Sequence, residues 1–175
     1  MNLVEIANSI VNVEVMYNTY VGDPRQVVPL ENMNQAVELV RSNKSSEKSE
    51  EQIRRDLTSL AAIAVAVNKD SKKTSGLVTL RKADPERKKE LFSKAGADEL
   101  ADEFRFELGN IEVAEKERGK GLAHHLLNRL LGLRSSRAQT IYCSTNSDEV
   151  ANMLRGYRFS TIGNEQEKPY LLGLM

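Results

Sequence analysis

The apolar residues of this chain switch repeatedly between a two-residue spacing and a three-to-four-residue spacing, which predicts strands alternating with helices in one layered α/β domain. The first stretch is ambiguous: Leu3, Ile6, Ala7, Ile10 and Val11 recur at helical spacing, whereas Val11, Val13 and Val15 alternate as in a strand. Asp23-Pro24 marks a turn, followed by a short strand over Gln26 to Leu30 and an amphipathic helix over Glu31 to Arg41 that carries Ala36, Val37 and Val40. The polar run Ser42 to Glu51 reads either as a solvated loop or, from Ser49-Glu50-Glu51-Gln52, as a capping box that opens a helix through Ile53 and Leu57. Two apolar runs, Ala61 to Val67 and Gly76 to Leu80, flank the polar Asn68 to Lys73 as in a hairpin.

The second half continues the alternation. Lys82 to Glu103 carries both charge signs and has Asp84-Pro85 where Pro suits a first helical turn, so a solvated surface helix is expected there, placed between two strands. Phe104 to Val113 reads as a strand, Gly121 to Leu133 as a helix, Thr140 to Ser144 as a strand and Ser147 to Gly156 as a helix. Arg158 to Ile162 and Tyr170 to Leu174 complete the strands. With no internal repeat or low-complexity tract, residues 1–175 are expected to form a single domain.

Composition narrows the class without naming it. With 40% hydrophobic and 29% charged residues the chain can bury a real core. Lys and Arg equal Asp and Glu at 25 each, and the balance stays even, 15 basic to 17 acidic residues up to Glu103 and 10 to 8 beyond it. No global basic field recommends nucleic acid or a membrane surface as a partner. One cysteine makes no internal disulfide, and two histidines with it are a poor inventory for a metal site, so a reduced compartment and no metal are expected. The N-terminal residues lack a basic segment leading into an apolar run, and no stretch of about 18 uninterrupted apolar residues occurs, which points to the cytoplasm.

The informative junction is Glu107-Leu-Gly-Asn-Ile-Glu-Val-Ala-Glu-Lys-Glu-Arg118-Gly-Lys-Gly-Leu-Ala123. It is a strand feeding a tight, basic, glycine-rich turn that opens directly into a helix. Such a turn suits an anion, because successive amides point one way, the helix start adds partial positive charge, and glycine lets a phosphate approach the backbone. Arg118 and Lys120 add side-chain charge. Behind the turn Leu122, Ala123, Leu126, Leu127, Leu130, Leu131 and Leu133 fall on one arc, so the helix must pack on a sheet. His124 flanks that arc and His125 points nearly opposite it, which places both at the surface or its boundary. The P-loop and dinucleotide patterns both fail, since no Ser or Thr continues Gly119-Lys120-Gly121 and the sixth residue counted from Gly119 is His124.

Arg118-Gly-Lys-Gly121-Leu-Ala123 resembles the Arg/Gln-x-x-Gly-x-Gly/Ala acetyl-CoA signature of the GNAT superfamily of N-acetyltransferases. The resemblance covers roughly Gly76 to Leu174 and is specific from Glu107 to Leu131. It implies an α+β fold, with a mixed, mostly antiparallel sheet flanked by helices and acetyl-CoA bound at the strand–turn–helix junction. It further implies direct transfer of an acetyl group from acetyl-CoA to a primary amine in a ternary complex. The pyrophosphate would rest on the amides of Gly119, Lys120, Gly121, Leu122 and Ala123 beside Arg118. The pantetheine arm would run along the backbone of Ile111 and Val113. Asn146 falls where the family often reaches that arm, although it also suits a helix cap near Ser147. The acceptor, a small amine or a protein lysine, is not readable, and association of two copies is left open. The alternative is a non-catalytic domain of the same fold that holds CoA or a protein.

Catalytic candidates follow from the same comparison. A protonated amine needs a base, and Glu107 and Glu112 lie in the strand that leads to the turn. By simple alternation Glu107 shares a face with Ile111 and Val113, and Glu112 with Phe106 and Leu108. Glu107 also matches the position of the catalytic glutamate in the histone-acetyltransferase branch, which makes it the first candidate and Glu112 the second. Either acid could instead be merely hydrogen-bonded at a sheet edge. The family's tyrosine acid, in a pattern ending in Gly-Phe, corresponds here to Leu154 and Arg158-Phe159, with Tyr157 three residues later. That leaves Tyr157, Tyr142 or water for the leaving thiolate. Cys143 reads as a small core residue rather than a nucleophile.

Overall fold

The structure, a computed structural model, describes residues 13, 16–43, 48–133, 140–164 and 168–174. In chain order these form β1 (Tyr17–Gly22), α1 (Pro24–Val27), α2 (Leu30–Asn43), α3 (Glu50–Thr58), β2 (Ala62–Asn68), β3 (Thr74–Lys82), α4 (Pro85–Lys94), a 3-10 segment (Asp98–Glu103) and β4 (Phe106–Val113). A short 3-10 turn (Glu115–Glu117), α5 (Leu122–Leu131), β5 (Ile141–Thr145), α6 (Asp148–Gly156), β6 (Ser160–Thr161) and β7 (Tyr170–Leu174) follow. The strands make one seven-stranded sheet in the order β1-β2-β3-β4-β5-β7-β6. Of the pairings, β1 with β2, β2 with β3, β5 with β7 and β6 with β7 are antiparallel, and β4 with β5 is parallel. This is the mixed, mostly antiparallel sheet expected from the sequence. Most of the ambiguous stretch Leu3 to Tyr20 lies outside the described residues, and its end forms β1.

Packing divides the chain into two compact units, residues 1–80 with 110–133 and residues 81–109 with 134–175. In the first, β1 and β2 pair from Tyr17↔Asn68 to Gly22↔Ile63. Ile63, Val65 and Val67 of β2 join Leu77 and the apolar sides of α2 and α3 in one cluster. The other face of β2 presents Ala62, Ala64 and Ala66, all buried, and α5 packs against this strand. A strand buried on both faces shows an uninterrupted apolar run, which is why Ala62 to Val67 lacks polar alternation. Of the two readings of Ser42 to Glu51, the capping box occurs at Ser49, which accepts from the Gln52 amide while its own amide donates to the Gln52 side chain.

One expected strand is a helix. The sequence of Gln26 to Leu30 predicts an extended segment, yet Pro24–Val27 form a helical turn and Leu30 opens α2. Asp23 caps that turn by accepting from the Arg25 amide, and Pro24 sits at the first helical position with its φ already fixed, so local capping overrides the β preference of Val27 and Val28.

In the second unit the charged segment before β4 is more than a solvated helix. Asp84 caps α4 by accepting from the Arg87 amide, as the Asp-Pro pair implied, but the helix ends at Lys94 and the chain continues as the 3-10 segment. Phe92 and Phe104 are buried, and their rings lie 5.3 Å apart, with Tyr142 of β5 edge-on at 5.5 and 6.3 Å. These rings are a core of their own, worth more than their area through edge-to-face contact. Arg158 to Ile162 shortens to the two-residue β6, because α6 ends in a left-handed residue: Arg158 has φ 66, its amide donates to Arg155 O and that of Phe159 to Leu154 O.

Two left-handed positions in this unit should respond oppositely to substitution. Gly163 has φ 78, and a Cβ there would strike the Ala95 carbonyl oxygen, so Gly163→Ala should cost at least about 2 kcal/mol. Arg158→Gly relieves the penalty of a left-handed side chain while loosening the unfolded chain, for a net gain of about 0.5–1 kcal/mol. Urea unfolding midpoints of the two variants against wild type check both signs.

Candidate functional site

The turn after β4 is built by two left-handed glycines. Ala114 donates its amide to Ser75 O at 2.9 Å, the 3-10 turn follows, and Arg118 is extended. Gly119 then takes φ 75 and Gly121 φ 78, conformations that L side chains rarely adopt. A Cβ on Gly119 would meet nothing within 4 Å, so that glycine is required by its backbone and not by crowding. Gly121 is the N-cap of α5, its carbonyl accepts from the His125 amide at 3.0 Å, and no side chain caps the helix. An uncapped helix start directs its first amides along the axis, the arrangement that receives anions.

What keeps this helix start in place is its burial. Leu122, Leu126, Leu127 and Leu130 are at most 2% exposed. A Cβ on Gly76 of β3 would come within 3.1 Å of Leu126 Cδ1 and of the Glu112 carbonyl and 3.3 Å of Leu122 Cδ2. Leu122 therefore offers the turn only its backbone, whereas Ala123 is half-buried. His125 is a correction: it is 3% exposed, with Nε2 2.9 Å from Thr19 Oγ1 of β1. The expected arc was centred too far along by Leu131 and Leu133. The helix ends at Leu131, Leu133 is exposed, and His125 lies only about 60° around from Leu122. His124 is half-buried, as its boundary placement required.

The basic residues of the turn are already engaged. Arg118 is exposed and donates through Nε to Val113 O at 3.3 Å. Lys120 donates to Glu117 Oε2 at 2.8 Å, and the same oxygen accepts from the Tyr17 hydroxyl at 2.5 Å. Burial pushes the Glu117 carboxyl up, but hydrogen bonds from Lys120 and Tyr17, together with the Lys120 and Lys116 charges, outweigh it and hold it below its ordinary 4.5. Tyr17 is raised above its ordinary value by burial first and by Glu117 second. Ile111, Glu112 and Val113 are all half-buried, where strict alternation would bury every second residue.

In the second unit Glu107 is 3% exposed and held by cations. Arg81 grips it with both ends of its fork, Nη2 2.7 Å from Oε1 and Nε 2.9 Å from Oε2, while Arg87 Nη2 lies 3.6 Å from Oε1. Tyr142 donates its hydroxyl to Oε2 at 3.3 Å, and burial, then the Glu107 charge, raises Tyr142 above its ordinary value. Cys143 is buried and its thiol is pushed up to about 12, chiefly by burial. Tyr157 is half-buried and raised by burial, and Leu154 is wholly buried. Asn146 is exposed, and the cap of α6 is Ser147, which accepts from the Val150 amide, so the capping role does not fall to Asn146. No motif or spacing in the sequence marks Tyr17, Arg81 or Glu117. Glu117 sits in the run Glu115-Lys116-Glu117-Arg118, in which the other three are exposed, and nothing in the run marks the buried member.

No group of three or more potential metal ligands occurs among the described residues, and no helix among them is long and apolar enough to cross a membrane. Neither a protein-family model nor a curated protein matches the sequence. Solved structures do match the fold. Arabidopsis thaliana Naa50 in complex with the bisubstrate analogue CoA-Ac-MVNAL is 16% identical with a TM-score of 0.59, covering 90% of this chain and 98% of that one. Arabidopsis thaliana NAA60 in complex with acetyl-CoA is 13% identical with a TM-score of 0.63, covering 90% and 99%. A GNAT-family acetyltransferase from Streptococcus pneumoniae is 16% identical with a TM-score of 0.56, covering 83% and 89%. The fold of this chain is the GNAT acetyltransferase fold.

The Glu107 cluster makes a prediction about stability. Removing Arg81 leaves a buried carboxylate to Arg87 and Tyr142, and because Arg81 is 39% exposed the cost is below that of a fully buried pair. Arg81→Met should destabilise by about 1–3 kcal/mol, and by clearly less in a Glu107→Gln background. Chemical unfolding of the four proteins in this cycle measures the coupling.

Proposed function

We propose that this chain is an N-acetyltransferase that moves an acetyl group from acetyl-CoA to a primary amine. The observation that carries the reading is the uncapped start of α5 behind two left-handed glycines, in a chain with the GNAT fold. The CoA pyrophosphate is bound there by the amides of Gly119 to Ala123, with Arg118 and Lys120 supplying charge. The pantetheine arm follows the backbone at Ile111 and Val113, and Asn146 is a further contact to that arm. For Val113 this means exchanging the long hydrogen bond its carbonyl accepts from Arg118.

Chemically, the neutral amine nitrogen attacks the thioester carbonyl carbon, the carbon–sulfur bond breaks, CoA leaves as the thiolate, and the proton lost by nitrogen goes to a base. The thiol of Cys143, buried and pushed up to about 12, is poorly suited to carry the acetyl group itself, which favours direct transfer. Two carboxylates of β4 compete for the base. Glu107 is buried with both oxygens engaged by Arg81, and one also by Tyr142, which gives it a charge-pairing role; Glu112, half-buried on the same strand, is our candidate for the base. Tyr157, raised by burial, keeps its proton at neutral pH and is our candidate donor to the thiolate.

Release of free thiol from acetyl-CoA, followed across a panel of small amines and lysine peptides, tests the activity and finds the acceptor together. We expect amine-dependent thiol release; CoA binding without release for any amine would make this a non-catalytic CoA-binding domain. A folded Gly121→Val variant should lose CoA affinity by at least about tenfold, since a β-branched residue blocks the approach of the pyrophosphate. Glu112→Gln should lower kcat by about 10²–10⁴-fold with CoA affinity nearly unchanged, and Cys143→Ala should keep most of the activity. Full activity in Glu112→Gln with loss in Glu107→Gln would assign the base to Glu107 instead.

A further inference from the structure

Glu117 is a charge placed where a charge is costly. It is 6% exposed, at the end of the 3-10 turn, with its amide donating to Ala114 O at 2.8 Å. Tyr17, which donates to it, is 3% exposed and lies at the first position of β1, paired with Asn68 of β2. If the turn needed only a tether to β1, a neutral glutamine would accept the Tyr17 hydroxyl equally well and avoid the desolvation of an ion. A carboxylate requires a cation to compensate it, and the compensating cation is Lys120, inside the glycine turn itself.

Resting on the CoA-binding reading above, we infer that Glu117 is a positioning residue for the anion turn: it fixes the Lys120 ammonium for a phosphate group, and Tyr17 fixes Glu117. Lysine reaches its target through four flexible bonds and freezing them opposes binding, so an ammonium already held at one donor loses less freedom when an anion arrives. The ammonium has three donors, and Glu117 uses one, which leaves two for phosphate oxygens. The pair is neutral overall, so the buried carboxylate does not repel the incoming anion as an isolated one would. Net positive charge at the turn then comes from Arg118, which is exposed. Lys120 is half exposed, as an ammonium shared between a buried carboxylate and a bound anion must be.

The test is a double-mutant cycle on CoA affinity by calorimetry, in wild type, Glu117→Gln, Lys120→Met and the double variant, with thermal melts confirming folding. Wild type should bind CoA. Each single variant should weaken binding by about tenfold, and the double variant should be little worse than either, because both remove the same held ammonium. Tyr17→Phe, which keeps the charge and loosens its support, should weaken binding by a smaller factor and guards against a poorly folded Glu117→Gln. Unchanged or tighter CoA binding in Glu117→Gln, or strictly additive losses, would overturn the inference while leaving the CoA site intact. Absence of CoA binding in wild type would overturn the proposed function itself, and this inference with it.

Discussion

The seating of α5 on β2 and β3 is the constraint on which the rest of the candidate site depends. A glycine turn binds an anion well only if its amides stay where they are, and these amides belong to the first turn of a helix whose position is set by four buried leucines. Each contributes about 1.5–3 kcal/mol on burial. The strands beneath are shaped for this close approach: β2 turns Ala62, Ala64 and Ala66 away from the cluster made by Ile63, Val65 and Val67, and β3 has Gly76 where any side chain would press into Leu122, Leu126 and the Glu112 carbonyl. Small residues under the helix and large ones on it place the turn, and the backbone carbonyl of Glu112 is part of the same packing.

Two buried carboxylates lie in and just after β4, and the chain compensates them in different ways. Glu107 receives a rigid arginine fork, a second guanidinium and a tyrosine hydroxyl, so its oxygens are committed and its geometry is fixed. Glu117 receives a tyrosine hydroxyl and a single flexible lysine on one oxygen. A planar fork matches both oxygens of a carboxylate, whereas an ammonium is a compact point charge that can be shared with a third party. The difference suits the two places: a fixed pair within the ring-lined second unit, and a pair that can accommodate a ligand beside the glycine turn.

Much of this was legible in the sequence wherever local chemistry decides. Asp84-Pro85 and Arg118 to Ala123 mark a cap and a turn whose residues leave the backbone little choice, and both occur; Ser49 to Gln52 leaves a loop and a capping box open, and the capping box forms. The errors lie where tertiary context decides or where two local signals compete. At Gln26 to Leu30 the cap Asp23 and Pro24 outweighed β-branched residues that alone suggest a strand. The apolar arc points His125 outward only because it includes Leu133, beyond the helix end, and the position of β1, with Thr19 facing the ring, shows that the inner side extends to His125. Glu117 and Tyr17 lie 100 residues apart, and no periodicity connects them.

The departures from the family pattern around α6 follow from one backbone requirement. The chain must reverse after the helix to reach β6, and it does so through a left-handed residue whose amide, with that of Phe159, closes the last helical carbonyls. A glycine meets that requirement without strain, and the family pattern ending in Gly-Phe has one there. In this chain Arg158, a residue with a side chain, takes the left-handed conformation, with φ 66. One turn earlier the position matching the family's tyrosine is Leu154, fully buried, which removes a hydroxyl from that place but fills the core. Backbone hydrogen bonds from Arg158 and Phe159 and the buried Leu154 side chain therefore carry the turn. In the proposed reaction the proton for the thiolate then comes from a different residue, for which Tyr157, the cap residue of the same helix, half-buried and raised by burial, is the candidate.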